Sequence, residues 1–237
     1  MHSGNRRHGI ARSLSKLGVA SRSIAAGWVS DGRIAVNGRV VRDPEFPVVA
    51  DRDQLTLDGQ PLVAAKKRYL MLNKPRGLVT TTTDEKGRDT VYRCFDGAGL
   101  SWLAPVGRLD KASEGLLLFS NDPAWAARLT DPATGPDKTY HVQISAQADA
   151  ELLQRLVTGI DQDGERLAAK SARLIRSGEK NSWLEIVLDE GRNRHIRRLL
   201  EAHGIGVLRL IRTAIGPLQL GTLAKGQWRW LEQHEYR

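Results

Sequence analysis

The stretch Gly107-Arg108-Leu109-Asp110-Lys111-Ala112-Ser113-Glu114-Gly115-Leu116-Leu117-Leu118-Phe119 constrains the fold more than any other. Leu116 to Phe119 is a short, continuous apolar run, the pattern of a strand covered on both faces. Gly107 and Gly115 bracket the turn before it and allow backbone that other residues resist. Asp110 therefore falls on a tight connection at the rim of a core, where a side chain is held rigidly and still meets a ligand. On spacing alone the commoner role of such an aspartate is to cap a helix or order a turn.

The chain has 237 residues and a formal charge of +9. That length suits one or two domains with a real core. The charge is uneven: residues 1–42 hold eight Lys/Arg and one acid, a net of +7. A small basic module attached to a nearly neutral body points first to nucleic acid and second to an anionic membrane surface. The membrane reading requires a basic amphipathic helix with large apolar residues, and Ile10 to Leu17 is too short and weak for one. Nothing approaches a membrane-spanning length, and no apolar run follows the N-terminal arginines, so no secretory signal is expected. Cys94 is the only cysteine, which rules out an intrachain disulfide and fits a reducing cytoplasm. The six histidines are scattered, and no metal site is expected.

Local signals divide the chain. Residues 1–8 read as a flexible basic tail. Ile10, Leu14 and Leu17 have helical spacing, and Gly18 is placed to end that helix. Ser21 can cap a second helix whose apolar side is Ile24, Ala25 and Trp28. Ile34-Ala35-Val36 reads as a strand leading into an Asn37-Gly38 hairpin turn, and Leu55, Leu57 and Leu62 surround a second turn at Asp58-Gly59. Ala64 to Lys67 is a short linker. Beyond it come the strand Tyr69 to Leu72, the irregular Asn73-Lys74-Pro75-Arg76-Gly77, and a polar loop over Thr80 to Thr83 and Asp84 to Asp89. Asp122-Pro123 opens a helix. Lys138 to Ile144 alternates as a strand does. Leu152, Leu153, Leu156 and Val157 form one helical face, stopped by Gly159. After the strand Trp183 to Leu188, four arginines crowd the start of a helix whose apolar face is Ile196, Leu199 and Leu200. Strands scattered among three or four helices, without strict alternation, predict an α+β fold.

Collinear motifs then resemble those of the RsuA-like family of pseudouridine synthases, which modify ribosomal RNA. Gly107 to Leu117 resembles the family's GRLDxxTEGLL, with Ser113 in place of threonine. Asn73 to Gly77 resembles NKPxG, Lys138-Thr139-Tyr140 resembles KxY, and Glu190 to Leu199 resembles EGRNRQIRRM with His195 in place of glutamine. Gly18 to Arg22 and Gly32 to Val40 resemble an S4 RNA-binding domain, except that Gly9 replaces the basic residue that opens the first helix. Arg6 and Arg7 are the nearest substitutes.

The resemblance implies an S4-like RNA-binding domain over residues 9–63, a linker at 64–68, and a catalytic domain over 69–237 built on a mixed, largely antiparallel sheet with flanking helices. It implies isomerisation of uridine in ribosomal RNA or a ribosomal assembly intermediate, with the large-subunit branch slightly favoured. No cofactor is needed, and a monomer is expected. Asp110 is the implied catalytic carboxylate, acting either as a nucleophile on carbon or as a base at C2′. Arg197 is the cation that pairs with it, and Tyr140 is the ring on which a flipped base stacks. Read from the residues alone, Tyr140 is a half-buried strand aromatic and Arg197 an i,i+4 partner of Glu201. Implied RNA contacts are Arg12, Lys16, Arg22 and Arg33 in the first domain and Arg108, Arg192 and Arg194 in the second. The rival reading, a non-catalytic RNA-binding or ribosome-assembly factor, has no need of Asp110, Tyr140 and Arg197 together.

Overall fold

The computed structural model describes residues 7–49, 52–82, 84 and 86–236. Met1 to Arg6 of the expected tail and Thr83 and Glu85 of the polar loop lie outside the described residues. The chain divides into two compact units. The first runs to Tyr69 and takes in Leu100–Ala104 and Ser120–Trp125; the second holds the rest. Among the described residues no helix is long and apolar enough to cross a membrane.

The first unit contains β1 (His8–Gly9), α1 (Ile10–Lys16), α2 (Arg22–Ser30), β2 (Ile34–Val36), β3 (Arg39–Val40), β4 (Pro47–Val48), β5 (Leu55–Leu57) and β6 (Gln60–Pro61). Its four-stranded sheet has the order β3-β2-β5-β6. Local chemistry explains the element ends. Ser21 Oγ accepts from the Ile24 backbone N–H at 3.1 Å, so it caps α2 as expected. Asn37 and Gly38 have φ of 51° and 80°, the two left-handed residues that match a tight hairpin to strand twist. The core gathers Ile10, Leu14, Ala25, Val29, Ile34 and Val36. The buried face of α2 differs from the expected one. Ala25 and Val29, four apart, are buried, whereas Ile24 is 44% exposed. One residue is about 100° of helix rotation, which carries Ile24 off that stripe.

The second unit is built on a nine-stranded sheet. Its strands are β7 (Tyr69–Lys74), β8 (Ala104–Val106), β9 (Glu114–Ser120), β10 (Lys138–Ile144), β13 (Ser171–Ser177), β14 (Ser182–Leu188), β15 (Val207–Ile215), β16 (Leu218–Gln219) and β17 (Trp228–Trp230). The main path is β13-β14-β10-β15-β9-β7-β17. A separate hairpin joins β11 (Ile160–Gln162) to β12 (Glu165–Leu167). The helices are α3 (Pro123–Thr130), α4 (Ala150–Thr158), α5 (His195–Glu201) and the short α6 (Gln233–Tyr236). This is the mixed, largely antiparallel α+β architecture the sequence predicts.

Strand β9 is buried along its whole length, as its apolar run requires. Burying Leu116, Leu117, Leu118 and Phe119 completely contributes about 1.5–3 kcal/mol each. Strands β10 and β14 alternate strictly between buried and half-buried positions. Since side chains alternate across a strand, Lys138 and Tyr140 share the buried face. Tyr140 pairs with Ile186 on one side and Arg212 on the other, so Arg212 joins them there.

The parallel crossing of β9 with β15 pairs Ile211 with Glu114 and Arg212 with Gly115. A Cβ at Gly115 would sit 2.3 Å from the Arg212 carbonyl oxygen, and Gly115 has φ of +100°. Glycine is required there twice over, for the close approach and for the backbone angle. Buried Glu114 clamps the same crossing, bound by Arg209 Nε at 3.1 Å and Lys225 Nζ at 2.5 Å. Burial pushes its carboxyl up, but the two cations outweigh this and hold it below the usual range.

Candidate active site

One cavity of about 470 Å³ lies in the second unit. It is lined by the 107–110 turn, the 190–197 segment, and the floor residues Lys138, Tyr140 and Arg212 of the sheet. Asp110, Tyr140 and Arg197, far apart in sequence, all reach it. Among its lining residues are six Lys/Arg against three Asp/Glu, an excess that draws in a polyanion.

Neighbouring backbone holds the Asp110 turn. The Ser113 N–H donates to the Asp110 carbonyl at 3.0 Å, closing a turn. Lys74, wholly buried, donates its ammonium protons to the carbonyls of Pro75 (3.1 Å), Asp110 (3.2 Å) and Ser113 (2.9 Å). Burial pushes Lys74 down to about 8, so near neutral pH it stays mostly charged, and three protons meet three acceptors. The Gly77 N–H donates to the Lys111 carbonyl at 2.8 Å, and the Thr80 hydroxyl donates to that of Leu109 at 2.7 Å. The Asn73 to Gly77 motif thus braces the Asp110 turn through main-chain atoms.

Arg197 is half-buried on α5. Its Nη2 donates to the Ala112 carbonyl at 3.2 Å and its Nη1 to that of Val207 at 3.3 Å. Among the described residues it closes no ion pair within 4.0 Å with Asp110 or Glu201, so its link to Asp110 runs through space. Burial lowers the Arg197 pKa and the Arg194 charge lowers it further, while the Asp110 charge pulls it back up. The turn's own carbonyl takes the hydrogen bond that the motif would assign to the carboxylate. Tyr140 is 8% exposed, its ring part of the cavity floor.

The expected RNA contacts separate into free and engaged cations. Arg108 and Arg194 are exposed at the cavity rim. Arg192 is held by Glu190 at 2.7 Å and by the Arg166 carbonyl at 2.9 Å. In the first unit, Arg12 and Lys16 are exposed one turn apart on α1, with Lys16 Nζ 2.8 Å from His8 Nε2. Arg22 pairs with Glu45 at 3.0 Å. Arg33 grips both oxygens of Asp58, the nearest at 2.6 Å, and lies 5.9 Å from the centroid of the Trp28 ring. At Gly9 a Cβ would fall 2.6 Å from Glu45 Oε2. The space a basic side chain would need there belongs to Glu45.

Two cations of the cavity had no assigned role in the sequence, Lys138 and Arg212. The signal for Arg212 is its phase: in Leu210-Ile211-Arg212-Thr213-Ala214 it sits in step with two apolar inward positions.

A family model described as RNA pseudouridylate synthase matches residues 68–202, and an S4 domain model matches residues 10–52. An uncharacterized RNA pseudouridine synthase of Aquifex aeolicus is 37% identical over 95% of this chain and 91% of its own. Ribosomal large subunit pseudouridine synthase B of Bacillus subtilis is 34% identical over 96% of this chain and 93% of its own. A solved pseudouridylate synthase crystal structure superposes with a TM-score of 0.66 at 29% identity, covering 98% of both chains.

Proposed function

This chain belongs to the RNA pseudouridylate synthase family, and on that premise we propose that it isomerises uridine in large-subunit ribosomal RNA with Asp110 as the catalytic carboxylate. The observation that carries the assignment is the meeting of Asp110, Tyr140 and Arg197 in one cavity.

The reaction breaks the C1′–N1 bond, turns the uracil and joins C5 to C1′. A uridine in folded RNA is hidden by stacking and must be extruded first. Tyr140 offers its ring to the extruded base. Arg108, exposed beside Asp110, takes the vacated gap or an adjacent phosphate. Asp110 supplies the carboxylate that the reaction requires. Action as a monomer is proposed, in the reducing cytoplasm. The test is incubation with unmodified large-subunit, small-subunit and transfer RNA, followed by mapping of pseudouridine. Conversion of discrete uridines in the large-subunit RNA is expected; conversion confined to the other two overturns the target.

The 9–63 segment is proposed as the RNA anchor, linked through 64–68 to the catalytic domain at 69–237. Phosphate contacts position a protein without reading sequence. Arg12 and Lys16 are the pair for this role, because Arg22 and Arg33 are engaged by Glu45 and Asp58. Replacing both with alanine is expected to flatten the log–log salt dependence of RNA affinity by about 1.4 to 1.8, at 0.7–0.9 per contact. The melting temperature should stay put, since both side chains are exposed. An unchanged slope would remove α1 from the RNA interface.

A further inference from the structure

We propose that Lys138 and Arg212 are further catalytic residues, a buried pair of cations that takes up the negative charge of the uracil as it leaves C1′. The proposal rests on the assignment of this cavity to the target uridine. Lys138 is 9% exposed and Arg212 6%, and both line the cavity on the sheet face that carries Tyr140. Residues of this kind are rarely buried unless paired. Neither forms an ion pair within 4.0 Å among the described residues. Asp137, the acid next to Lys138, is bound by Lys170 at 2.8 Å. Arg212 Nε donates to the Leu116 carbonyl at 2.8 Å, which fixes the guanidinium, while its buried Nη2 has no acceptor among the described residues. Burial lowers the Lys138 pKa, and the Arg212 charge lowers it further, so the two cations sense each other.

The geometry selects the base and not a phosphate as their ligand. Lys138 precedes Tyr140 by two residues on β10, and Arg212 is its cross-strand partner on β15. They flank the ring on the floor, whereas Arg108 and Arg194 are exposed at the rim. A base lying on Tyr140 brings its carbonyl edge to these cations.

The chemistry needs charge there. When the C1′–N1 bond breaks, its electron pair leaves with the base, giving a uracil anion delocalised over N1, O2 and O4. C1′ is meanwhile captured by an Asp110 oxygen or freed by loss of the C2′ proton to Asp110. C5 then bonds to C1′ as the Asp110 oxygen leaves it or, in the second route, as Asp110 returns the proton to C2′; the C5 proton is lost and N1 gains a proton. The sum is an isomerisation. Fixed donors aimed at a developing oxyanion in a water-poor site stabilise the transition state and need no reorganisation.

The test is a leaving-group comparison under single turnover. One RNA carries uridine at the target position and its twin carries 5-fluorouridine, whose base is the better leaving group. Loss of the N-linked nucleoside is followed by chromatography after nuclease digestion. Lys138→Met should lose about 100-fold on uridine, the scale for removing one oxyanion donor, and distinctly less on 5-fluorouridine. Lys138→Arg should recover part of the rate. Arg212→Met should behave alike, and if it fails to fold, Lys138→Met decides alone. Equal losses on both substrates, or no loss, overturn the proposal. Uridine conversion by Asp110→Asn protein would instead overturn the assignment of the cavity itself.

Discussion

Asp110→Asn protein is expected to fold, to bind RNA and to convert uridine at least about 100-fold more slowly than the parent. The substitution keeps volume and shape while removing the negative charge. The turn does not depend on that charge. It is held through the Asp110 carbonyl by Lys74 and the Ser113 N–H, and through Leu109, Lys111 and Ala112 by Thr80, Gly77 and Arg197. The melting curve and RNA affinity should therefore match the parent. If Asp110 is a base at C2′, the loss should be about 10²–10⁴-fold; if it is a nucleophile, the loss should be greater still. Single-turnover assays with purified protein give the magnitude. Substantial pseudouridine formation by this variant would falsify the catalytic role of Asp110.

Gly115→Ala is expected to cause the largest loss of stability of any single methyl added to the second unit. The new Cβ would meet the Arg212 carbonyl oxygen at 2.3 Å, its nitrogen at 2.8 Å and its carbonyl carbon at 3.0 Å. Backbone cannot turn aside as the end of a flexible side chain can, so the β9–β15 crossing must open. Overpacking costs about 1–3 kcal/mol, and left-handed backbone at a non-glycine residue costs about as much again. A total of about 3 kcal/mol lowers the melting temperature by about 6–12 °C in a chain of this size. Gly77→Ala is the control. Gly77 has φ of +101°, matching the +100° of Gly115, yet nothing lies within 4 Å of its added Cβ. It carries the backbone strain without the clash. Equal melting shifts for the two variants would show that the close approach is unimportant. Gly115→Ala should also lose activity beyond its stability loss, because Arg212 and the cavity floor move with β15.

Elements with a local cause were legible in the residues. The Ser21 cap, the Asn37-Gly38 and Asp58-Gly59 turns and the apolar run of β9 all stand where expected. The Asp163-Gly164 hairpin, with φ of 53° and 76°, carries the same turn signal. The grouping of Asp110, Tyr140 and Arg197 was legible only through collinear motifs, since no window of sequence contains all three. Arg22 and Arg33 looked like free phosphate ligands, because charge clustering does not reveal partners. Glu45 is 23 residues from Arg22, and Asp58 is 25 from Arg33.

By itself the sequence determined the strand that must be buried, the glycine-bounded turn before it, the helix caps and the basic bias of the first 42 residues. These rest on interactions within a few residues or on simple counting. Only the tertiary structure decided that Arg212 lies across from Gly115, that Lys138 and Arg212 flank Tyr140 on one floor, and that Arg197 grips the turn backbone at Ala112. The physical reason is that strand register and burial come from pairing across distant segments. A residue's sequence neighbours set its local conformation, but the face it turns to the cavity and the partners it finds there are set by chain far away.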